Sequence, residues 1–228
     1  MKITHLFAGK PQPFGPKGSP SSIVKHAYQD LTITREGAVQ DEQGNKKLHG
    51  GPYMALHQYA QSSYDYLAKH FPKTEVDFAI GSIGENISAP DMHDSNVFIG
   101  DQYRIGNCML QVVSPRAPCS RINQRYKLAK IDQFIAQHGI TGWYLSVLDT
   151  GTIKVGDDIE LHQRESNPIS VKQIWQIREL NKAKLSEFSK AELKHWLALA
   201  DSAANTASLS PEWLAYMNRV AVKLAKVQ

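Results

Sequence analysis

The sequence predicts a mainly β, barrel-like domain with a few helices, followed by a small all-α three-helix subdomain. Three observations predict it. Over the first two thirds of the chain, apolar runs of four to six residues recur between glycine-rich turns, the mark of many short strands. Near Asn167-Pro168 the pattern changes. Beyond that point helix start signals precede apolar stripes at helical spacing. The boundary is drawn at residues 1–166 and 167–228.

Taken in order, Ile3–Phe7, Leu31–Thr34, Ala79–Ile83, Asn96–Ile99, Cys108–Val113, Trp143–Leu148 and Asp158–Leu161 each read as a strand. Gly37, Gly84, Gly100-Asp101, Gly106-Asn107 and Gly151 supply the turns between them. Tyr59–His70 reads as a helix that ends before Pro72. In the last third, Ser170-Val171-Lys172-Gln173 and Ser189-Lys190-Ala191-Glu192 match the capping box, in which the Ser hydroxyl and a Gln or Glu side chain satisfy orphan amides. Ser210-Pro211-Glu212 combines a cap residue with proline at the first helical position. Ile174, Trp175 and Ile177, then Leu193, Trp196, Leu197 and Ala200, then Leu214, Met217, Val220, Ala221 and Leu224 form the stripes that must pack.

At 228 residues, with 42% hydrophobic and 21% charged residues, the chain has the balance of an ordinary globular protein. No apolar run approaches the ~20 residues of a membrane span, and Gly9-Lys10-Pro11 ends the N-terminal apolar stretch too early for a signal peptide. These features predict a soluble, cytoplasmic protein with no membrane partner. Two cysteines, Cys108 and Cys119, make no disulfide framework and no CxxC zinc pair, so both are expected reduced. Residues 171–228 hold nine basic and five acidic residues, which accounts for the whole net charge of +4. That density suits a solvated helical face and argues against nucleic acid as a partner.

Three segments could carry chemistry. In Ser114-Pro115-Arg116-Ala117-Pro118-Cys119, a strand runs into a loop stiffened by two prolines. Such a loop holds a side chain at low entropic cost, and Arg116, Arg121 and Arg125 nearby would stabilise a thiolate able to bind metal or attack an electrophile. Cys119 could equally be a small buried hydrophobe; Cys108, among Met109, Leu110 and Val112, reads as core. In Leu48-His49-Gly50-Gly51-Pro52, adjacent glycines let backbone amides surround an anion and His49 can donate to it; a simple turn would use the same residues. In Gly84-Glu85-Asn86, the polar pair between apolar residues either reads the edge of a heterocycle or stitches a turn. Phosphate-loop, dinucleotide, zinc-protease and nucleophile-elbow motifs are absent.

Together, Asp41-Glu42-Gln43, His49-Gly50-Gly51-Pro52, Gly84-Glu85-Asn86, Gly100-Asp101 and Pro115-Arg116-x-Pro118-Cys119 occur in the order and spacing of MOSC-domain proteins. The chain resembles that family from about Gly9 to about Leu161. Its C-terminal helices are similar to the three-helix domain of one branch. It departs from the family pattern in having Gln40 where glycine usually precedes the Asp. It also reads Tyr59-Ala60-Gln61-Ser62-Ser63-Tyr64 where Tyr-Pro-x-Glu-His-Tyr is common.

The resemblance implies a β-barrel-like core that binds the molybdenum cofactor, a molybdopterin with a dithiolene and a phosphate. Cys119 matches the thiolate ligand to the metal and would be the catalytic residue. His49, Gly50 and Gly51 would contact the cofactor's anionic end, Arg116 and Arg121 would balance its charge, and Glu85 and Asn86 would hydrogen-bond pterin or substrate. The implied activity is reduction of N-hydroxylated compounds, such as N-hydroxylated purine base analogues, to amines, a detoxification. No flavin or nicotinamide fingerprint is visible, so an external reductase protein is the expected electron donor. The oligomeric state stays open, a homodimer included. Three other readings also stand: a sulfur carrier with a persulfide on Cys119, a Cys119–His49 thiol hydrolase, and a helix-turn-helix DNA binder.

Overall fold

The fold, a computed structural model, describes residues 1–44 and 50–227. Its strands are β1 (His5–Ala8), β2 (Gln12–Phe14), β3 (Ser19–Ser21), β4 (His26–Tyr28), β5 (Asp30–Thr34), β6 (Gly37–Ala38), β7 (Leu56–Gln58) and β8 (Ile87–Ser88). They continue as β9 (Gln102–Ile105), β10 (Cys108–Pro115), β11 (Trp143–Asp149), β12 (Gly151–Lys154) and β13 (Ile159–Gln163). Six α-helices accompany them among the described residues: α1 (Gln61–His70), α2 (Ser120–Tyr126), α3 (Ile131–His138), α4 (Val171–Leu180), α5 (Lys190–Ala204) and α6 (Pro211–Ala225).

Eight strands make one curled sheet in the order β13-β9-β10-β11-β7-β8-β1-β4. Only the β7–β8 pairing in it is parallel. The N-terminus draws its two sides together: Lys2 bridges Asp158, and the Ile159 amide donates to the Met1 carbonyl at 2.8 Å. The result is a half-barrel. A three-stranded sheet, β12-β5-β6, and the β2–β3 hairpin complete the β part.

The longest strand, β10, is buried along nearly all of its length between β9 and β11. In β11, Trp143, Leu145 and Val147 enter the core while Tyr144 and Ser146 face the other way, the alternation a pleated strand imposes. Register then sets Tyr144 opposite His57 on β7 and opposite Ser114 on β10. One end of this three-strand group gathers the site.

Two expected strands form turns instead. Around Ala79–Ile83, the Ser82 amide donates to the Ala79 carbonyl and the Gly81 amide to the Glu85 carboxylate, so no ladder can form. In Asn96–Ile99, Val97 and Ile99 enter the core while Asn96 is exposed and Phe98 half-buried. The segment's amides, however, bond His93 and Ile169. Short apolar runs show burial, and their hydrogen-bond partners decide the conformation.

All three C-terminal helices form. Ser170 and Ser189 both make complete capping boxes, whereas Ser210 caps without a side-chain bond and relies on Pro211. Their stripes do not close on themselves: one apolar cluster runs from Leu6, Val112 and Trp143 in the half-barrel to Trp175, Met217 and Leu224 in the helices. Backbone bonds from Ile99 to Ile169, Val171 to Val97 and Ser210 to Val113 tie the two parts together.

Candidate functional site

Beyond Pro115 the chain leaves β10, and the Arg116 amide donates to the Gly142 carbonyl at 2.9 Å. Gly142 has φ 71°, and a Cβ there would lie 2.6 Å from the Gln58 carbonyl oxygen, so only glycine fits this close approach. Asp94 holds the opposite side of the turn: its Oδ1 accepts the amides of Thr141 and Gly142, each at 2.9 Å. The bend at Arg116 is thus braced from below by a buried carboxylate. Burial raises Asp94 to about 6 despite these amide donors.

Cys119 follows as the N-cap residue of α2, half-buried, with an extended backbone. Its side chain makes no capping hydrogen bond, and its carbonyl accepts the Ile122 amide instead. The thiol borders a cavity of about 380 Å³ whose wall includes Lys25, Asp41, His57, Asn86, Arg116, Arg121 and Tyr144. That volume lies in the range of small-molecule sites, ~300–1,000 Å³.

Two buried nitrogens on this wall lack hydrogen-bond partners: His57 Nε2 and Arg116 Nη1. Buried polar atoms without partners are rare, because each forfeits the free energy of its lost hydration. Burial pushes the His57 imidazole well below its ordinary value, and the neighbouring Arg116 charge pushes it further, so the ring stays neutral. Burial raises Tyr144, so its hydroxyl keeps its proton beside Arg116 and Cys119.

Opposite them, Lys25 and Asp41 form a buried ion pair. Asp41 also accepts from the Gly9 amide at 2.8 Å and from Asn86 Nδ2 at 2.9 Å. Asn86 donates further to the Phe7 carbonyl at 3.1 Å and accepts the His57 amide at 2.9 Å. This network fastens β1, β7 and the segment around Lys25 to one another. Desolvation lowers Lys25, and Asp41 opposes that shift.

The structure gathers some of the expected site residues and separates others. Cys119, Arg116, Arg121 and Asn86 line the cavity. Asn86 lines it with its side-chain amide already committed on both ends. Glu85 is not among the residues of that wall. Its carboxylate is fully buried and accepts the Tyr64 hydroxyl at 2.7 and 2.8 Å and the Gly81 amide at 2.6 Å. Gly50 and Gly51 are also outside the cavity wall; Gly51, at φ 84°, opens the short 3-10 turn Pro52–Met54. His49 lies outside the described residues. Arg121 Nη1 donates to the Phe14 carbonyl and to Gln124 Oε1, both at 3.0 Å.

Sequence reasoning missed His57, Lys25 and Tyr144. His57 carried a usable signal, an imidazole inside the apolar run Ala55-Leu56-His57-Gln58-Tyr59, where burial demands a partner. Lys25 carried none.

No cluster of three or more His, Cys, Asp or Glu side chains among the described residues could hold a metal ion. No described helix is long and apolar enough to cross a membrane.

Fold and cavity define a class: half-barrel proteins with a thiol-bearing, cation-lined pocket at one end of the sheet. The MOSC domain family matches residues 45–160. The chain is 37% identical to Protein YiiM of Escherichia coli (strain K12) over 163 residues, 71% of this chain and 72% of that protein. It is 34% identical over 159 residues to a protein of Gibberella moniliformis named Reductase, covering 69% of this chain and 28% of that one. The crystal structure of YiiM from Escherichia coli superposes with a TM-score of 0.70 at 25% identity, covering 98% of this chain and 94% of that one. The chain belongs to the MOSC domain family. MOSC domains in general are associated with the molybdenum cofactor.

Proposed function

We propose that this protein is a molybdenum-cofactor-dependent reductase of N-hydroxylated compounds, with the Cys119 thiolate as the protein's ligand to the metal. One observation carries the reading: the thiol shares its cavity with two buried nitrogens that lack partners, on Arg116 and His57. A free guanidinium donor on Arg116 suits an anionic cofactor, the unpartnered His57 nitrogen can accept a hydrogen bond, and a soft thiolate suits molybdenum. The Gibberella relative's name, Reductase, supports redox chemistry.

When bound, the cofactor would supply two electrons, so that R–NHOH, two electrons and two protons become R–NH₂ and water. The rest falls to the chain. Cys119 would anchor the group from a loop braced by Pro115, Pro118 and the Asp94–Gly142 turn. Arg116 and Arg121 would neutralise its charge, Lys25 being already paired with Asp41, and the unpartnered nitrogen of neutral His57 would accept a hydrogen bond. Tyr144, which lines the cavity and keeps its proton, would donate toward the departing oxygen. Electrons would come from a separate reductase protein.

The test is metal analysis of protein from cells able and unable to make the pterin, joined to a panel of N-hydroxylated purines, pyrimidines and amidoximes with an artificial electron donor. About one molybdenum per chain, lost in Cys119→Ala, together with N–O reduction supports the proposal. Equal metal in wild type and variant overturns it. So does metal-free protein bearing a cyanide-releasable sulfur on Cys119, the sign of a sulfur carrier.

A further inference from the structure

Outside the thiol cavity, α1 and α3 each end on a histidine, His70 and His138. Each imidazole covers an aromatic ring one turn back in its own helix. His70 stands 4.2 Å from Tyr66 between ring centroids, and His138 stands 4.0 Å from Phe134. The pairs also meet across the helices, with His70 5.4 Å from Phe134 and His138 5.4 Å from Tyr66. Two imidazoles far apart in the chain thereby come to 6.2 Å between centroids.

Both rings are fixed from behind in the same way. His70 Nδ1 lies 2.8 Å from the Tyr66 carbonyl oxygen, and His138 Nδ1 lies 2.8 Å from the Phe134 carbonyl oxygen. A carbonyl oxygen can only accept, so each Nδ1 carries the proton and, in the neutral ring, Nε2 keeps its lone pair. Neither Nε2 makes a hydrogen bond among the described residues. His70 is exposed and His138 half-buried, so the pair stands at the surface.

One ring nitrogen bonded to a backbone carbonyl and the other bare is how a metal-ligating histidine is held. With a metal–nitrogen distance near 2.1 Å, two imidazoles on one ion have centroids roughly 5 Å apart. The observed pair is about 1 Å wider, a gap that a small rotation of the exposed His70 ring closes. No third His, Cys, Asp or Glu makes a larger metal-holding group with them among the described residues, so water completes the coordination. Imidazoles without a carboxylate suit zinc, nickel or copper and disfavour calcium and magnesium.

We infer that His70 and His138 form a two-imidazole site for a divalent late transition-metal ion, separate from Cys119 and independent of the proposed reductase function. The ion clips the end of α1 to the end of α3. These helices close the smaller apolar cluster, where Leu67, Ile131 and Ile135 meet Ile122 and Tyr126 of α2. Because α2 begins directly after Cys119, the clip steadies the apolar bed beside the thiol-bearing turn.

The experiment melts purified wild type, Cys119→Ser, His70→Ala and His138→Gln, each with and without nickel chloride. Melting without nickel gives each variant its own baseline and shows that it folds. Wild type and Cys119→Ser should melt about 3 °C higher with nickel, the shift expected at roughly ten times the dissociation constant. Both histidine variants should lose that shift. A shift retained in either one overturns the site, since a single imidazole, or another group, then binds the ion. A shift lost in Cys119→Ser overturns it too, by assigning the nickel to the thiol. So does a wild type whose melting nickel leaves unmoved. His70 is exposed, so His70→Ala decides the matter should His138→Gln not fold.

Discussion

The two ends of β10 each lead to a cysteine, and they put the same side chain to opposite uses. At the start, Cys108 is fully buried in the apolar cluster; burial, with Asp157 and Asp149 nearby, pushes its thiol up to about 11. Past the other end, Cys119 is half-buried on a cavity wall with Arg116, Arg121 and Lys25. One thiol is closed in by hydrocarbon with two carboxylates near it; the other borders open volume, on a wall where Arg116 and Arg121 stand beside the Lys25–Asp41 pair. The difference teaches that a thiol's chemistry follows from the charge and space around it, since both cysteines hang from one strand and its loop.

The largest expected effect is on metal. Cys119→Ser should lower bound molybdenum at least about tenfold, the scale seen when metal-site groups are lost, while Cys108→Ala should retain it. Equal retention in the two variants would break the comparison. Next comes reactivity. With a thiol near 11, only about one Cys108 in a thousand is thiolate at pH 8, and it is buried as well. In metal-free folded protein, alkylation followed by mass spectrometry should modify Cys119 at least about tenfold faster.

Asp94 sharpens the picture of the loop that carries Cys119. Its folded value of about 6 stands above the ordinary 3.8, so the folded state holds this proton more tightly. Its contribution is fully present below pH 3.8 and is lost as pH rises through 6, roughly 3 kcal/mol in all. Denaturant melts from pH 4 to 7 should show wild type losing stability relative to Asp94→Asn across that window; parallel curves would contradict the assignment.

Arg116→Met removes a buried donor that has no partner. Metal-free protein should gain about 1 kcal/mol while cofactor retention falls, a trade of stability for function. A loss of stability in the metal-free variant would show that Arg116 serves the fold. Smallest is Ser189→Ala on α5, far from both cysteines. It should cost about 1 kcal/mol by thermal melting through loss of one capping box and leave metal content untouched.

Local signals in the chain read through well. Both capping boxes, the proline start of α6, helix α1 and the strands around Leu31, Cys108, Trp143 and Ile159 are patterns within a few neighbouring residues, and they form where the sequence places them. The stiff Pro115–Cys119 loop was legible for the same reason. Glu85 was visible as an oddity, but its role was not. A buried carboxylate needs a donor, and that donor is Tyr64, 21 residues away.

By itself, then, the sequence determined the class of fold, the helical C-terminal part and the cysteine worth watching, because propensity, capping and periodicity act over one or two turns. Tertiary structure alone decided which groups meet that cysteine. His57 reaches the cavity through its register with Tyr144, and Lys25 through its ion pair with Asp41. Such pairings depend on burial and strand register between distant segments, and no local pattern encodes them.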